Sequence, residues 1–171
     1  MELLEVIKKR QSIRNFSTEV VSEDHLNLLL EAAYNAPIGH ASYHRYELIV
    51  LNDKKKLDGI ANLLIDTAGL TKHPFFHAPL VIFVSGKPNR ERLDGCDTGC
   101  IIENIMLRAT DLDLGSCFLY TISEIINAHL KIQQYLQLPP DYSVMSAVVI
   151  GHPKEKGLPN KVRPGIKTRR F

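Results

Sequence analysis

The sequence predicts a single domain of mixed helices and strands, in the α/β or α+β class. Its 171 residues match the usual length of one domain. With 44% hydrophobic and 23% charged residues, its composition is typical of a folded globular protein. Short apolar runs with strand character also alternate with segments of helical periodicity. These three observations exclude disordered and fibrous classes.

The first half of the chain is predicted to hold three helices and one strand. Ser22 suits the start of the second helix, because its side chain can accept hydrogen bonds from the free amides there. That helix must end before Pro37. The predicted elements, in order, are a helix over residues 3–7 that leads into Lys8-Lys9-Arg10, a helix over 22–33, a strand over Tyr46–Leu51 and a helix over Lys54–Leu64.

The second half is predicted to alternate strands with helices. The segment Asp97–Asp111 is apolar nearly all round, so the helix it forms should lie in the middle of the structure. The predicted elements are strand Leu80–Val84, helix Asp97–Asp111, strand Cys117–Tyr120, helix Ile122–Leu136 and strand Met145–Ile150.

A basic segment ends the chain. From His152 to Phe171 there are seven basic residues and one acid, whereas the remainder has a net charge of −4. Its glycines and prolines predict an extended arm that a partner subunit or a ligand would order. Because Phe171 is its single aromatic residue, a small phosphate ligand suits the arm better than nucleic acid.

Several classes of protein are not expected. No apolar run approaches the roughly 18–20 residues of a membrane span. The N-terminus has acids before bases, unlike a secretory signal. Three cysteines are an odd number, and Cys96 and Cys100 have no second pair at zinc spacing, so neither disulfides nor a metal is predicted. We therefore expect a cytoplasmic protein that has no metal site.

The densest polar signal is Arg10-Gln11-Ser12-Ile13-Arg14. Two forked guanidinium groups four residues apart, with a hydroxyl between them, could clamp a phosphate. The alternative is a solvated basic turn. Spacing alone leaves both interpretations open.

Two further segments could approach a ligand. In Ala36–Ser42, glycine allows close backbone approach, and unpaired amides could bond to the edge of a flat molecule. In Leu114–Tyr120, small residues follow the apolar helix, although Gly115 could equally be a helix cap. An ordinary loop remains the alternative for the first segment. Neither a G-x-G-x-x-G nor a G-x-S-x-G motif is present.

Taken in order, these segments resemble the FMN-dependent nitroreductase family from Ile7 to about Gly151. The motifs that carry the resemblance are Arg10-Gln11-Ser12-Ile13-Arg14-Asn15-Phe16, Leu28–Ala33 leading into Ala36-Pro37, Asp97-Thr98-Gly99, Leu112–Cys117, Leu138-Pro139 and Val148–Pro153. The loop after Pro37 departs from the family pattern, because it lacks the usual asparagine. It is also one residue longer than in the family pattern.

The resemblance implies an α+β, three-layer fold with a central, mostly antiparallel sheet flanked by helices. Residues 1–152 would form the FMN-binding domain and residues 153–171 a basic arm belonging to the same domain. The chain would be a homodimer that exchanges its C-terminal arms and holds FMN at the interface. Neither nucleic acid nor a membrane is an expected partner.

The resemblance also implies the site residues. Arg10, Gln11, Ser12 and Arg14 would bind the FMN phosphate and ribityl chain, and Pro37, Ile38 and Gly39 would approach the flavin from the partner subunit. Ser116, Cys117, Leu119 and Tyr120 would line its other side, Lys161 and Arg163 (alternatively Arg169) would complete the phosphate site, and Tyr43 and His44 would face substrate.

The implied activity is transfer of a hydride from NADH or NADPH, through FMN, to a nitroaromatic, quinone or similar small acceptor by a ping-pong mechanism. The flavin N5 would carry the chemistry, so no catalytic side chain is predicted. Two alternatives are a non-catalytic FMN-binding or storage protein, and a basic-tailed protein that binds RNA or an acidic partner.

Overall fold

A four-stranded sheet lies at the centre of the computed structural model, which describes residues 1–89, 91–155, 157 and 159–171. The strands are β1 (Tyr46–Leu51), β2 (Leu80–Gly86), β3 (Gly115–Leu119) and β4 (Ser143–Gly151). Their spatial order is β1-β2-β4-β3, and every neighbouring pair is antiparallel. The sheet therefore confirms the α+β class rather than α/β.

Helices cover both faces of the sheet. They are α1 (Leu3–Lys9), α2 (Glu23–Tyr34), α3 (Lys54–Ala68), α4 (Glu91–Asp111), α5 (Ile122–Ala128) and α6 (Leu130–Tyr135). Because side chains alternate along a strand, Val81 and Phe83 of β2 pack with α3, α5 and α6, whereas Ile82 and Val84 pack with α2 and α4. The result is the three-layer architecture that the resemblance implied.

The prediction of one continuous helix over Ile122–Leu136 is wrong. Two helices, α5 and α6, form instead, because the backbone at His129 is extended (φ −130°, ψ 104°). The Asn127 side chain there pairs with both backbone groups of Val144, at 2.7 and 2.9 Å. Gln133 donates to the Asn127 carbonyl oxygen at 2.8 Å. The Gln133 side chain thus satisfies a carbonyl oxygen that a backbone amide would bond in a continuous helix.

Other predicted boundaries shift by a few residues. Helix α4 begins at Glu91, six residues before the predicted start, since Gly95 concealed its first turns. Helix α3 continues four residues further, to Ala68, and Gly69 (φ 63°) ends it. Strand β3 begins two residues earlier than predicted and ends one earlier, at Leu119. The Ser22 cap is confirmed, because its side chain accepts from the His25 amide at 3.2 Å.

Helix α1 buries only Val6 and leaves Leu3, Leu4 and Ile7 exposed on the outside of the chain. The arm from 159 to 171 is also exposed and contains neither helix nor strand. Positions 156 and 158, which precede it, lie outside the described residues. Among the described residues, no helix is both long and apolar enough to cross a membrane.

Candidate functional site

The segment Arg10–Arg14 lies along the free edge of β3. The Ile13 amide donates to the Ser116 carbonyl oxygen at 2.9 Å, and Ser12 pairs with Ser116 in a parallel bridge. Gly115 permits this approach, since a Cβ there would lie 2.9 Å from the Ile13 Cβ. Backbone contacts between distant parts of the sequence thus fix the predicted phosphate clamp on the sheet.

Three guanidinium groups gather around this segment. Arg10 lies 3.5 Å from the Glu103 carboxylate, and Arg14 lies over the Phe76 ring at 5.8 Å from its centroid. Arg163 reaches back from the arm and donates to the carbonyl oxygens of Lys8 (3.2 Å) and Arg10. Arg14 forms no ion pair with any described carboxylate. We call Arg10, Ser12, Arg14 and Arg163 the arginine cluster.

The predicted residues of β3 are mostly buried. Ser116, Cys117 and Leu119 have at most 9% of their surface exposed, whereas Tyr120 is exposed. Burial raises the pKa of the Cys117 thiol, although Arg14 and Ser12 act in the opposite direction. The Ser116 hydroxyl is buried without a hydrogen-bond partner among the described residues. Tyr120 is therefore the predicted β3 residue whose side chain is open to a ligand.

A groove of about 690 Å³ borders the segment Arg10–Arg14. Gln11 and Ile13 line it, but Ser12 and Arg14 do not, because successive side chains of an extended segment point to opposite sides. The charged and polar residues that line it are Lys9, Ser17, Glu19, Thr110, Asp113, His152, Lys154 and Glu155. The structure thus separates Gln11 from the arginine cluster. Lys161 lies in the exposed arm.

The segment Pro37–Gly39, which was also predicted to approach the flavin, lies in a different part of the structure. It leads into β1, which is the sheet edge opposite β3. Three strand spacings correspond to about 14 Å across the sheet. Among the described residues, no hydrogen bond or ion pair joins this segment to the arginine cluster.

Two buried carboxylates hold the loop Ala36–Arg45, which we call the anchored loop. Asp97 of α4 accepts from the Gly39 amide at 2.9 Å and from the Tyr46 hydroxyl at 2.8 Å. Asp94 accepts from Arg45 at 2.8 Å and from the Asn89 amide at 2.8 Å. The Gly39 amide therefore donates to a side chain of the protein, and it is not one of the unpaired amides that we expected in this loop.

The electrostatics favour the ionised form of Asp94 and the protonated form of Tyr46. Burial opposes ionisation of Asp94, but the Asn89 amide and the Arg45 guanidinium outweigh it and lower its pKa. Burial and the hydrogen bond to Asp97 raise the pKa of Tyr46, which keeps its phenol protonated as a donor. The hydrogen bonds of this network hold the anchored loop in place.

Tyr43 and His44 lie in a short 3-10 turn of the same loop, and both side chains are exposed. The Tyr43 hydroxyl donates to the Ala36 carbonyl oxygen at 3.1 Å and closes the loop on itself. Both residues are thus placed where a second molecule could contact them.

Sequence reasoning did not identify the residues that support these segments. Glu103 beside Arg10, Phe76 beneath Arg14 and the pair Asp94 and Asp97 were all missed. The last pair had a signal, since two acids three residues apart on a helix share one face. Within the described residues, no group of three or more His, Cys, Asp or Glu could hold a metal.

The chain belongs to the nitroreductase family. The family model matches residues 7–69 and 62–152, which together cover most of the sequence and include both β3 with the Arg10–Arg14 segment and the anchored loop.

Individual relatives agree with this assignment. A nitroreductase of Bacteroides fragilis, solved with bound FMN, has a TM-score of 0.88 and 26% identity, covering 100% of this chain and 98% of that one. An FMN-dependent nitroreductase of Clostridium difficile has a TM-score of 0.79 and 25% identity, with 99% of each chain covered. A relative from Archaeoglobus fulgidus, whose name gives it as an NADH dehydrogenase or NAD(P)H nitroreductase, is 28% identical over 91% of this chain and 87% of its own.

Proposed function

We propose that this protein is an FMN-dependent oxidoreductase that uses NADH or NADPH to reduce a small electron-poor acceptor. The observation that carries the proposal is the arginine cluster. Arg10 and Arg163 are 153 residues apart in sequence, yet the fold places the Arg163 guanidinium on the Arg10 carbonyl oxygen. Such a gathering of cations at a sheet edge, in a member of this family, suits a phosphate ligand.

The residues present fit FMN. Its phosphate needs several cationic donors, and Arg10, Arg14 and Arg163 supply them, with Ser12 beside them. The Ser116 hydroxyl, which is buried and has no hydrogen-bond partner in the described part of the chain, lies in β3, along which the segment Arg10–Arg14 runs. Lys161, or Arg169 further along the arm, would add charge to the phosphate, and Gln11 would contact the ribityl chain only after a change of orientation.

We propose a homodimer in which the arginine cluster of one subunit and Pro37–Gly39 of the other hold the same FMN. The strand beside the segment Arg10–Arg14, β3, and the strand that Pro37–Gly39 leads into, β1, are opposite edges of the sheet, which supports this arrangement. The exposed face of Leu3, Leu4 and Ile7 on α1 supports it too, since an apolar patch of this kind is typical of an interface. Exchange of the exposed arms 159–171 would extend the same interface.

The chemistry that FMN supplies when bound is transfer of reducing equivalents from NADH or NADPH to a nitroaromatic, quinone or similar acceptor, in two ping-pong half-reactions. The protein's part is to bind and orient. The arginine cluster neutralises the phosphate, the backbone of Ser116–Leu119 lines one side, and Tyr120, Tyr43 and His44 contact the reactants from their exposed positions. We place the protein in the cytoplasm, because its three cysteines are free thiols.

The test is the visible absorption spectrum of the purified protein, before and after anaerobic addition of NADH or NADPH. A flavin spectrum that bleaches, and then returns when a quinone or nitroaromatic is added, is the expected result. A flavin that binds but does not bleach would indicate the storage role instead. Absence of flavin, even after incubation with FMN, would overturn the proposal.

Two controls separate the parts of the proposal. Riboflavin lacks the phosphate, so the affinity difference between FMN and riboflavin measures the contribution of all the phosphate contacts. Light scattering determines the oligomeric state with and without residues 159–171. A monomer that binds FMN as tightly as the full-length protein would contradict the shared site.

A further inference from the structure

The anchored loop depends on a chain of two hydrogen bonds that ends deep in α4. The Tyr46 hydroxyl donates to Asp97 Oδ2 at 2.8 Å, and Asp97 Oδ1 accepts from the Gly39 amide at 2.9 Å. Asp97 is only 3% exposed, so these protein donors replace the water that a free carboxylate would have. Each oxygen of the carboxylate is therefore committed to a specific donor.

A buried carboxylate resists any movement that removes its donors. If the loop moved away, Asp97 would lose the Gly39 amide and leave a charged oxygen without a partner, which is strongly unfavourable. Asp94 lies one helical turn earlier, and its pairing with Arg45 fixes the far end of the same loop. The loop is thus held at both ends by carboxylates from one helix.

The loop needs such an anchor because its backbone is strained. His40 (φ 56°) and Ala41 (φ 50°) both occupy the left-handed region, which is unfavourable for residues with a Cβ. Strain of this kind persists only where the surroundings enforce it. The amides of Ile38 and His40, on either side of Gly39, form no hydrogen bond with the described residues. The strained conformation therefore leaves these two donors available.

We propose that Asp97, oriented by Tyr46, is the positioning residue that fixes the amides of Ile38 and His40 for contact with the flavin ring. This inference rests on the proposed function for the identity of the ligand. Asp97 would not touch the ligand, because it acts through the Gly39 amide. It does not belong to the arginine cluster, which binds the phosphate end.

The first measurement uses the flavin-free protein and follows hydrogen exchange of the Gly39–Ser42 amides. Asp97→Ala should increase the exchange rate of the Gly39 amide by at least about tenfold, because its acceptor is gone. Asp97→Asn keeps an acceptor oxygen and should restore protection to within about threefold of the natural protein. Tyr46→Phe, a milder change, should give an intermediate rate. Asp58→Asn, an exposed carboxylate on α3, is the matched control and should change nothing there.

The second measurement compares dissociation constants for FMN and riboflavin. If the loop contacts the ring, Asp97→Ala should raise both constants by the same factor, about tenfold, since both ligands carry that ring. Asp97→Asn should restore both constants, and the visible absorption maxima of bound FMN should shift in Asp97→Ala alone. Arg14→Ala should instead weaken FMN and leave riboflavin unchanged.

Two results would overturn the inference. Unchanged exchange at Gly39 in Asp97→Ala would show that the carboxylate does not anchor the loop. Faster exchange with both dissociation constants unchanged, in protein that circular dichroism shows to be folded, would show an anchor without a positioning role. If the natural protein binds neither flavin, the proposed function fails, and the exchange experiment still decides whether Asp97 holds the loop.

Discussion

The arginine cluster and the anchored loop use charge in opposite ways. Around the loop, Asp94 and Asp97 accept from a guanidinium, a phenol and two backbone amides, and both carboxylates are nearly inaccessible to solvent. In the cluster, Arg14 has only an aromatic ring beneath it, and Arg10 has one carboxylate at 3.5 Å. The first arrangement uses charge to fix a backbone, whereas the second keeps charge available for a ligand.

The two regions should therefore respond differently to mutation. Removing a charge from the loop network leaves its partner buried and unpaired, so stability should fall. Removing a charge from the cluster leaves little unpaired, so stability should be almost unchanged and ligand binding should suffer. The predictions below test this contrast, beginning with the largest effect.

Asp94→Ala should cause the largest loss of stability. It removes the acceptor of both the Arg45 guanidinium and the Asn89 amide. We expect the free energy of unfolding to fall by about 3 kcal/mol, measured by urea denaturation. Asp58→Ala, which breaks an exposed pair with Lys54, should leave the free energy of unfolding almost unchanged. Equal losses in the two variants would contradict the contrast.

Arg14→Ala should show the reverse pattern. The dissociation constant for FMN should rise about tenfold, as one charge-assisted hydrogen bond to phosphate is lost. The free energy of unfolding should change by less than about 0.5 kcal/mol, and Arg14→Lys should recover part of the affinity. An unaltered FMN affinity, measured by fluorescence quenching, would remove Arg14 from the phosphate site.

Lowering the pH should loosen the two regions in sequence. His73 Nδ1 accepts from the Phe75 and His77 amides at 3.2 Å each, in the turn that carries Phe76 beneath Arg14. Burial and the nearby His77 lower the pKa of His73, so the folded state favours its neutral form. Its contribution to stability is complete above a pH of about 6.5 and is lost as the pH falls through the lowered folded-state pKa.

Asp94 should respond only in stronger acid. Its pKa is also lowered in the folded state, so its contribution is present above about pH 4 and is lost as the pH falls through the folded-state pKa. Hydrogen exchange from pH 7 to 3 should therefore show the Phe75 and His77 amides losing protection before the Asn89 amide, which Asp94 accepts from, does. His73→Gln should reduce the pH dependence at the turn, and simultaneous loss at both places would argue against separate regions.

Glu103→Gln should have the smallest effect. It removes the carboxylate beside Arg10 and leaves that guanidinium free for phosphate. Since the pair is partly exposed, we expect only a two- to threefold lower dissociation constant for FMN, or roughly 0.5 kcal/mol. Titration calorimetry at low salt should detect the change, and added salt should reduce it. Weaker binding of FMN by Glu103→Gln would instead show that Glu103 supports the arginine cluster.

Local patterns in the sequence predicted most of the fold. Ser22 capped the helix where expected, and the apolar run Tyr46–Leu51 formed the strand with the predicted bounds. The error at His129 arose because Asn127 pairs with Val144, a residue seventeen positions away that no local pattern reveals. Boundaries that depend on distant partners are thus the ones that the sequence alone could not locate.

The chemical types at the candidate site could be predicted without a structure: cations for phosphate in Arg10–Arg14, small residues in Leu114–Tyr120, and a basic arm. These follow from composition and spacing, which need no folded partner. The fold adds that Arg163 donates to the Arg10 carbonyl oxygen, that Arg10–Arg14 and Pro37–Gly39 adjoin strands at opposite sheet edges, and that Asp97 accepts from the Gly39 amide. Each of those facts joins residues far apart in the chain, and packing of the whole domain fixes such distances.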